Sequence, residues 1–362
     1  MSERRFILFF MLGYAGLLAW SYDFSSPYFR IHEMLYDREF GRWAPSTSVE
    51  MVEYGDLGYK TGIVSLAESR KNTFTTDGWG FRNPAFETLP DVVVVGDSFT
   101  AGIGLDDNDT LARQLQAALG RPVYNRGQIW LSAPGLYLGD ARFVAAPPRV
   151  VVWCPAQRAL KPSAVVPRPS RSRPDPEEDW QQRLTKGLQD LNRDEGLVRP
   201  FRSAVGELSW RAFGSDMVGD FEGEAKLRLP LALTMLNLSP EQRGLASSVE
   251  TVRQFDVALR ARGTTLVYCP IPDAANVYPE LYTDQDRARM VSPQHVDSMV
   301  EQTRAAGVIV VDLPTLFRQH RAPYLYWRDD SHWNPRGVQL AVGALAETIR
   351  GVLDGSGAQL RR

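Results

Sequence analysis

Short apolar runs alternate with longer segments of helical spacing over most of the chain after residue 90. The first run, Val92 to Val95, lies between Asp91 and Gly96 and has the continuous hydrophobicity typical of a parallel strand buried on both faces. Similar runs follow at 122–124, 149–153, 264–268 and 308–312, with helical segments at about 109–119, 134–144, 240–262, 287–305 and 335–353. This alternation predicts an α/β fold with a doubly wound, flavodoxin-like parallel sheet of five strands in the order 2-1-3-4-5.

A serine follows the first predicted strand directly, in the sequence Gly96-Asp97-Ser98-Phe99. In open α/β sheets, ligands bind outside the carboxyl ends of the strands, at the point where the strand order reverses. We therefore expect Ser98 at the crevice of the sheet. A serine hydroxyl becomes an effective nucleophile when an imidazole accepts its proton and a carboxylate orients that imidazole.

An imidazole and two carboxylates lie just before the last predicted helix, in the sequence Asp329-Asp330-Ser331-His332-Trp333-Asn334. We interpret His332 as the base and a neighbouring aspartate as the acid. The chain has 4 histidines in all. The other three have polar or helical surroundings, and we interpret them as surface or structural residues: His32, His295 and His320.

Each motif taken alone also has a simpler explanation. Gly-Asp-Ser is common in surface turns, where the side chains of Asp97 and Ser98 would bond nearby backbone N–H groups. The second motif could be the start of a helix, with Asn334 as the N-cap and Pro335 at the first helical position. Their joint placement, after the first strand and before the last helix, favours catalysis.

The two motifs resemble the first and last blocks of the SGNH (GDSL-type) hydrolases, which are a Gly-Asp-Ser and an Asp-x-x-His. The resemblance covers roughly residues 70–350, without a match at 162–245. Within that superfamily the chain looks closest to the alginate-type polysaccharide O-acetylation proteins. Three segments carry this closer resemblance: Asp330-Ser331-His332-Trp333, the stretch 267–272 followed by Val277-Tyr278-Pro279, and Val151-Val152-Trp153 leading to Gln157-Arg158.

The resemblance also implies roles for individual residues. Ser98 is the nucleophile and His332 the base; the usual SGNH spacing selects Asp329 as the acid, whereas the His-Trp form selects Asp330, which we prefer. Donors to an oxyanion are expected from the backbone of Ser98 and from two later blocks. The oxyanion and substrate-binding candidates are Gly127, Trp130 (at the position of the usual second-block glycine), Gln157 or Arg158 (in place of the usual third-block Asn) and Trp333.

The amino terminus has the pattern of an export signal. Arg4 and Arg5 precede an apolar stretch from Phe6 to Trp20, and the first acidic residue after it is Asp23. This pattern predicts a signal anchor or a signal peptide over residues 1–21, with the body of the protein outside the cytoplasm. We favour the anchor, because Ala19-Trp20-Ser21 is a poor cleavage site, and expect the protein on the periplasmic side of the inner membrane, or secreted if it is cleaved.

Composition and cysteine content exclude some classes of partner. The hydrophobic fraction of 44% supports a sizeable core, and a net charge of −2 argues against nucleic acid as a partner. Cys154 and Cys269, the 2 cysteines, could form a disulfide, but we favour two buried free thiols, because adjacent parallel strands rarely give good disulfide geometry. No Cys/His cluster has metal-ligand spacing, and we expect no cofactor.

The sequence divides into three predicted regions. The signal over 1–21 is followed by a stalk and irregular segment over 22–85, and by the SGNH-like domain over 86–355. An insertion at about 162–245 interrupts that domain. It begins with a basic, proline-rich loop, and the spacing of apolar residues predicts helices at 178–192 and 198–213.

Three classes of function stay open. The first is transfer of an acetyl group through an acyl-enzyme on Ser98 to hydroxyls of an envelope or secreted polysaccharide, with a separate membrane-bound acyl carrier as donor. The second is an esterase or deacetylase acting on carbohydrate or lipid esters. The third is a non-catalytic polysaccharide-binding scaffold. The export signal and the alginate-type resemblance favour the first.

Overall fold

The computed structural model describes residues 3–22, 31–37, 40–56, 63–86, 88–129, 134–157, 165–168, 199–213, 245–281 and 292–355. Strands in these ranges are numbered in chain order: β1 Tyr36–Asp37, β2 Arg42–Trp43, β3 Ser48–Glu53, β4 Arg70–Thr75, β5 Val92–Gly96, β6 Val123–Gly127, β7 Val150–Cys154, β8 Thr265–Tyr268 and β9 Ile309–Val310. The α-helices are Glu3–Tyr22, Ile31–Met34, Ser98–Ala101, Leu111–Leu119, Pro134–Leu138, Ala141–Ala145, Arg199–Phe213, Leu245–Arg260, Ala274–Val277, Pro293–Ala305, Leu313–Gln319 and Pro335–Leu353.

The central sheet has five strands in the order β6-β5-β7-β8-β9, and every neighbouring pair is parallel. Counted along the chain from β5, this is the order 2-1-3-4-5, so the predicted doubly wound fold is confirmed. Gly96, the last residue of β5, is in register with Gly127 of β6 and Cys154 of β7. The carboxyl ends of these three strands therefore meet at one edge of the sheet.

Both faces of the sheet are buried, which explains the uninterrupted run of valines in β5. Val92 and Val94 belong to a core cluster with the helices Leu111–Leu119 and Pro335–Leu353. Val93 and Val95 face the opposite cluster, which includes Phe255 and Met299. The molecule is thus a three-layer arrangement of helix, sheet and helix, the usual environment of an all-parallel sheet.

The amino-terminal region differs from the predicted stalk. In its described part, β3 and β4 form an antiparallel hairpin, and β1 pairs with β2. Trp43 and Phe74 pack in a third cluster that also contains Ala101, Ile103 and Ile129 from the α/β region. The described residues of this region thus form paired strands that pack on the α/β region, a local order that the aperiodic mixture of aromatic and charged residues did not reveal.

The first helix, Glu3–Tyr22, coincides with the predicted signal segment. Among the described residues, none of the helices combines the length and the apolar character that crossing a membrane requires. The membrane anchor therefore stays a prediction, as does the proposed division into domains.

The predicted insertion falls largely outside the described residues, including the helix expected at 178–192. The helix Arg199–Phe213 agrees with the expected helix at 198–213. Arg168 donates its backbone N–H to the carbonyl of Gly135 at 2.8 Å, so the start of the insertion packs against the helix Pro134–Leu138. Cys154 and Cys269 are buried free thiols, as expected.

Candidate active site

Ser98 is partly exposed and is the first residue of a short helix, Ser98–Ala101, directly after β5. Asp97 is the N-cap of this helix and accepts a hydrogen bond from the backbone N–H of Phe99 at 3.1 Å. The other carboxylate oxygen of Asp97 accepts the backbone N–H of Ala156 at 2.7 Å. One aspartate therefore fixes both the turn that carries the serine and the loop after β7.

Close backbone packing explains the glycine at the start of this turn. A Cβ atom on Gly96 would come within 2.0 Å of Thr100 Oγ1 and 2.4 Å of the carbonyl oxygen of Cys154. Thr100 in turn donates its hydroxyl to that carbonyl at 2.9 Å. The strand and the helix after it are thus held at a distance that only glycine at position 96 permits.

His332 brings the carboxyl-terminal motif to the serine. Its Nε2 atom lies 2.8 Å from Ser98 Oγ, and its Nδ1 atom lies 2.6 Å from Asp330 Oδ1. With the proton on Nδ1 donated to Asp330, Nε2 is left to accept the serine hydroxyl proton, which is the arrangement of a Ser-His-Asp triad. His332 is 5% and Asp330 1% exposed, so the hydrogen bond between imidazole and carboxylate is shielded from water.

The loop around His332 is fixed from both sides. Asn334 accepts the backbone N–H groups of Arg336 and Gly337 as the N-cap of the helix Pro335–Leu353. Trp327 donates its backbone N–H to the carbonyl of His332 at 3.1 Å. Asn334 is therefore a helix N-cap, and the same segment also carries the hydrogen bonds that His332 makes with Ser98 and Asp330.

Trp333 does not line a cleft. We expected it among the substrate-binding residues, but its side chain is fully buried and packs edge-on against Phe99, with 5.8 Å between ring centroids. Phe99 also lies 4.7 Å from the His332 ring, centroid to centroid. Trp333 is therefore a core residue that packs against Phe99, the residue after the serine.

Asp329 has a different environment from Asp330. It forms an ion pair with Arg70 of β4, and its Oδ2 atom accepts the backbone N–H groups of Gly55 at 2.9 Å and Glu68 at 2.8 Å. Asp329 is 1% exposed. All its described partners lie in the amino-terminal region, whereas Asp330 contacts the imidazole.

The amino-terminal region also contacts Asp330. The backbone N–H of Asp56 donates to Asp330 Oδ2 at 3.1 Å, and the backbone N–H of His332 donates to Oδ1 at 2.9 Å. The Asp56 carboxylate accepts the hydroxyl of Ser331 at 2.8 Å. Asp330 thus has both oxygens engaged, and these bonds hold the carboxylate against the imidazole.

Among the described residues, one group has the composition of a metal site: Asp56, Asp330 and His332, whose ligand atoms lie within 4.8 Å of one another. The hydrogen bond between His332 Nδ1 and Asp330 uses two of the three ligands. The hydrogen bonds of these side chains account for their proximity, so the group is part of the acid and base arrangement.

The expected oxyanion donors do not all occupy the roles that the sequence suggested. The backbone N–H of Gly127 donates to Asn125 Oδ1 at 2.8 Å, so it is already engaged. A Cβ at this glycine would lie 2.2 Å from the backbone nitrogen of Ala101, so Gly127 is required by close packing instead. Trp130 and Arg158 lie outside the described residues, and their roles stay predictions.

The side-chain amide of Gln157 is only partly hydrogen-bonded among the described residues. It is 6% exposed, its Oε1 atom accepts the backbone N–H of Asp273 at 3.3 Å, and its buried Nε2 atom has no hydrogen-bond partner among the described residues. A buried amide donor without a partner costs roughly 1–3 kcal/mol. Gln157 follows Ala156, whose N–H is bonded to Asp97, so it lies beside the turn of the serine.

Four residues of this site were missed at the sequence level: Gly55, Asp56, Arg70 and Asp97. Asp97 could have been found, because an aspartate before a helix start is a common N-cap. No local pattern marks the other three. Gly55 and Asp56 lie 274 residues before the aspartates that they contact.

The fold and the site together define a class of architecture: an α/β protein with a serine after the first strand of a five-stranded parallel sheet and an Asp-x-His before the last helix. Residues 233–361 match a family model described as "SGNH hydrolase-like domain, acetyltransferase AlgX". The resemblance to this superfamily, with an AlgX- and AlgJ-like relationship, is thereby confirmed.

Curated relatives agree with that match. The chain is 29% identical over 106 residues to "Probable alginate O-acetylase AlgJ" of Pseudomonas putida, over 29% of this chain and 27% of the relative. It is 30% identical over 131 residues to the protein of that name from Azotobacter vinelandii, over 35% and 32%. The chain thus spans about a third of the length of these relatives.

One solved structure, "a putative SGNH hydrolase from Slackia heliotrinireducens", is 14% identical, with a TM-score of 0.36, over 71% of this chain and 97% of that one. The fold assignment rests on the strand order and register described above.

Proposed function

We propose that this protein is an extracytoplasmic serine O-acyltransferase, which carries an acetyl group on Ser98 and passes it to a hydroxyl of an envelope or secreted polysaccharide. The observation that carries the proposal is the hydrogen-bonded chain from Ser98 Oγ to His332 Nε2, at 2.8 Å, and from His332 Nδ1 to Asp330, at 2.6 Å. The names of the AlgX and AlgJ relatives support acetyl transfer to a polysaccharide as the reaction class.

In the first half of the reaction, Ser98 Oγ attacks the acetyl carbonyl carbon while His332 Nε2 accepts the hydroxyl proton. The carbonyl π electrons move to oxygen, and a tetrahedral intermediate forms. Asp330 stabilises the imidazolium through the Nδ1 hydrogen bond. When the intermediate collapses, the bond to the leaving group breaks, and His332 returns the proton to that group. Ser98 then carries the acetyl ester.

The oxyanion needs donors that are free to reach it. We assign this role to the backbone N–H of Ser98, the first of its helix, since the first N–H groups of a helix have no partner within it. The Nε2 atom of Gln157, which has no partner in the part of the chain that the structure describes, supports its assignment as a second donor. Gln157 would thus replace the asparagine that SGNH proteins usually carry in the third block.

The second half of the reaction decides between transferase and esterase. His332 accepts a proton from the attacking hydroxyl, whose oxygen forms the new ester bond, and Ser98 takes the proton back as it leaves. An attacking sugar hydroxyl gives O-acetylated polysaccharide; water gives free acetate. Arg158 is our candidate for holding the sugar, because its guanidinium offers five donors to hydroxyls or a carboxylate.

The export pattern at residues 4–20 supports a location outside the cytoplasm, at the inner membrane. The proposal therefore includes a membrane-bound acyl carrier as a partner that supplies the acetyl group. We propose that the helix Glu3–Tyr22 is the segment that keeps the protein at the inner membrane.

Mass spectrometry of the intact protein after incubation with a chromogenic acetate ester tests the proposal. We expect an acetyl adduct on Ser98 that is lost in the Ser98→Ala variant. Adding an oligosaccharide acceptor should increase ester turnover and give acetylated sugar.

The other outcomes of this experiment separate the alternative functions. An adduct that only water removes would identify an esterase acting on carbohydrate or lipid esters. A protein that forms no adduct and turns over no ester, but binds oligosaccharide, would be a scaffold, and the proposal would be wrong.

A further inference from the structure

The amino-terminal region contacts both aspartates of the carboxyl-terminal motif. Gly55 and Asp56 are consecutive residues, and their backbone N–H groups donate to the consecutive side chains of Asp329 and Asp330. Arg70, on the same hairpin, forms an ion pair with Asp329. Because two adjacent N–H groups meet two adjacent carboxylates, a displacement of Asp329 also displaces Asp330.

Arg70 also stacks on Trp327, whose backbone is bonded to that of His332. Its guanidinium carbon lies 4.3 Å from the centroid of the Trp327 ring, and the backbone N–H of Trp327 bonds to the carbonyl of His332. Arg70 therefore contacts the loop at two points, Trp327 and Asp329, through one rigid, planar group. Stacking of a guanidinium on an aromatic ring is attractive, and more so when it is buried.

Arg70 also lies near several carboxylates and carries the opposite charge. Asp56, Asp329 and Asp330 are each at least nine-tenths buried, and adjacent buried carboxylates repel one another. Burial lowers the pKa of the Arg70 guanidinium, while four nearby carboxylates oppose that shift: Asp330, Glu53, Glu68 and Asp56. The guanidinium thus offsets the negative charge behind the imidazole.

We propose that Arg70, through Asp329, is a positioning residue for the Asp330–His332 pair, so that residues before the α/β domain form part of the active site. The proposal extends the proposed function and rests on it for its kinetic test alone. In this proposal, Asp329 orients the loop that carries His332. Gly55 and Asp56 form the contact that transmits this orientation to Asp330.

Ester turnover and a spectroscopic signal test the proposal together. In wild type we expect a downfield proton signal from the His332 Nδ1–H, identified by its loss in the His332→Gln variant. Arg70→Gln should shift or broaden this signal and lower kcat for a small acetate ester about 10- to 100-fold, the scale of an ångström-level misplacement, with KM little changed. Arg70→Lys, which restores the charge without the planar fork, should recover part of both.

Two further variants separate positioning from a loss of folding. Asp329→Asn keeps the side-chain shape, and Arg70→Gln combined with Asp329→Asn should cost less than the product of the two single effects, because both act on one contact. Gly55→Ala keeps every charge but adds a methyl group that would lie 2.1 Å from the carbonyl oxygen of Asp329. It should also perturb the histidine signal.

Arg260→Gln is the matched control, since it removes an aspartate-paired arginine from the helix Leu245–Arg260. It should leave kcat and the histidine signal unchanged. The proposal is overturned if folded Arg70→Gln and Gly55→Ala proteins keep the wild-type signal, or if the double-variant effects simply multiply. If wild type shows the Arg70-dependent signal but neither turns over ester nor forms an adduct, the positioning stands and the proposed function fails.

Discussion

The serine and the histidine are held in contrasting ways. Ser98 is fixed by the sheet and by Asp97, which lies next to it in the chain and bonds the backbone of Phe99 and Ala156. The Asp330–His332 pair is fixed from the other end of the sequence, since Asp330 accepts the backbone N–H of Asp56 and Asp329 is bonded to Arg70. One half of the site, which we call the local half, is held within the central sheet and the loops at its edge. The other half depends on contacts with the amino-terminal region.

The two halves of the site depend on different parts of the fold. The serine turn forms with the central sheet, in which both faces of β5 are buried. The acid and base need the hairpin of β3 and β4 to be in place as well. Damage to the hairpin should therefore lower activity while the sheet and the serine turn persist.

The largest expected effect comes from removing either half of the site. Ser98→Ala and His332→Ala should each reduce kcat for a chromogenic acetate ester by about 1000-fold or more, because the two groups act as one unit. The double variant should lose little more than either single one. Circular dichroism should show an intact fold, and full activity of Ser98→Ala would end the catalytic assignment.

The second prediction distinguishes the two aspartates. Asp330→Asn should reduce kcat by about 1000-fold or more, since the amide cannot stabilise the imidazolium. Asp329→Asn should reduce kcat by only about 10- to 100-fold, but it leaves Arg70 buried without its ion pair and should lower the free energy of unfolding by about 3–5 kcal/mol. Steady-state kinetics and urea unfolding of both variants measure this. Equal mild losses of kcat would remove both residues from the role of acid.

The third prediction concerns the local half. Gln157→Leu removes the proposed second oxyanion donor and should lower kcat by about 100-fold, with KM for the small ester little changed. Its stability should stay near that of wild type, because removing a buried donor that has no partner among the described residues offsets the loss of the acceptor for the Asp273 N–H. Unchanged kcat in a folded variant would assign Gln157 to the hydrogen bond with Asp273 alone.

The smallest expected effect is a pH dependence of the hairpin. Burial alone would raise the pKa of Glu53, but His32, Arg82 and the hydrogen bond from Asn72 lower it from 4.5 to about 2. The folded state therefore gains up to about 3 kcal/mol that is present above pH 4.5 and lost as the pH falls towards 2. Urea unfolding between about pH 2 and 6 should show this loss in wild type, and Glu53→Gln should show a flatter dependence. The same slope in both proteins would contradict it.

Much of the local half could be predicted from the sequence. A run of four valines specifies a strand that is buried on both faces, and Gly-Asp-Ser directly after it specifies the position of the serine. The helix start at Asn334 and Pro335 followed from ordinary capping rules. The alternation of strands and helices left few topologies, which is why the strand order was confirmed.

The errors came from places where side-chain direction or distant contacts decide the outcome. Trp333 was expected near substrate, but its neighbours in space are core residues such as Phe99. Gly127 was expected to donate to an oxyanion, but its N–H is engaged by Asn125. The Trp333 contact depends on how its loop is oriented in the packed molecule. The bond from Gly127 to Asn125 is local, because an asparagine side chain commonly accepts a backbone N–H two residues on, and the sequence could have suggested it.

By itself, the sequence determined the alternating fold, the serine at the end of β5 and the Asp-x-His before the last helix, because periodicity, turn residues and caps act over a few residues. Only the tertiary structure decided which aspartate meets the imidazole and what holds it. Asp329 and Asp330 are neighbours of the same chemical type. Their environments differ because Gly55, Asp56 and Arg70, which lie far earlier in the chain, are brought to them by the packing of the hairpin.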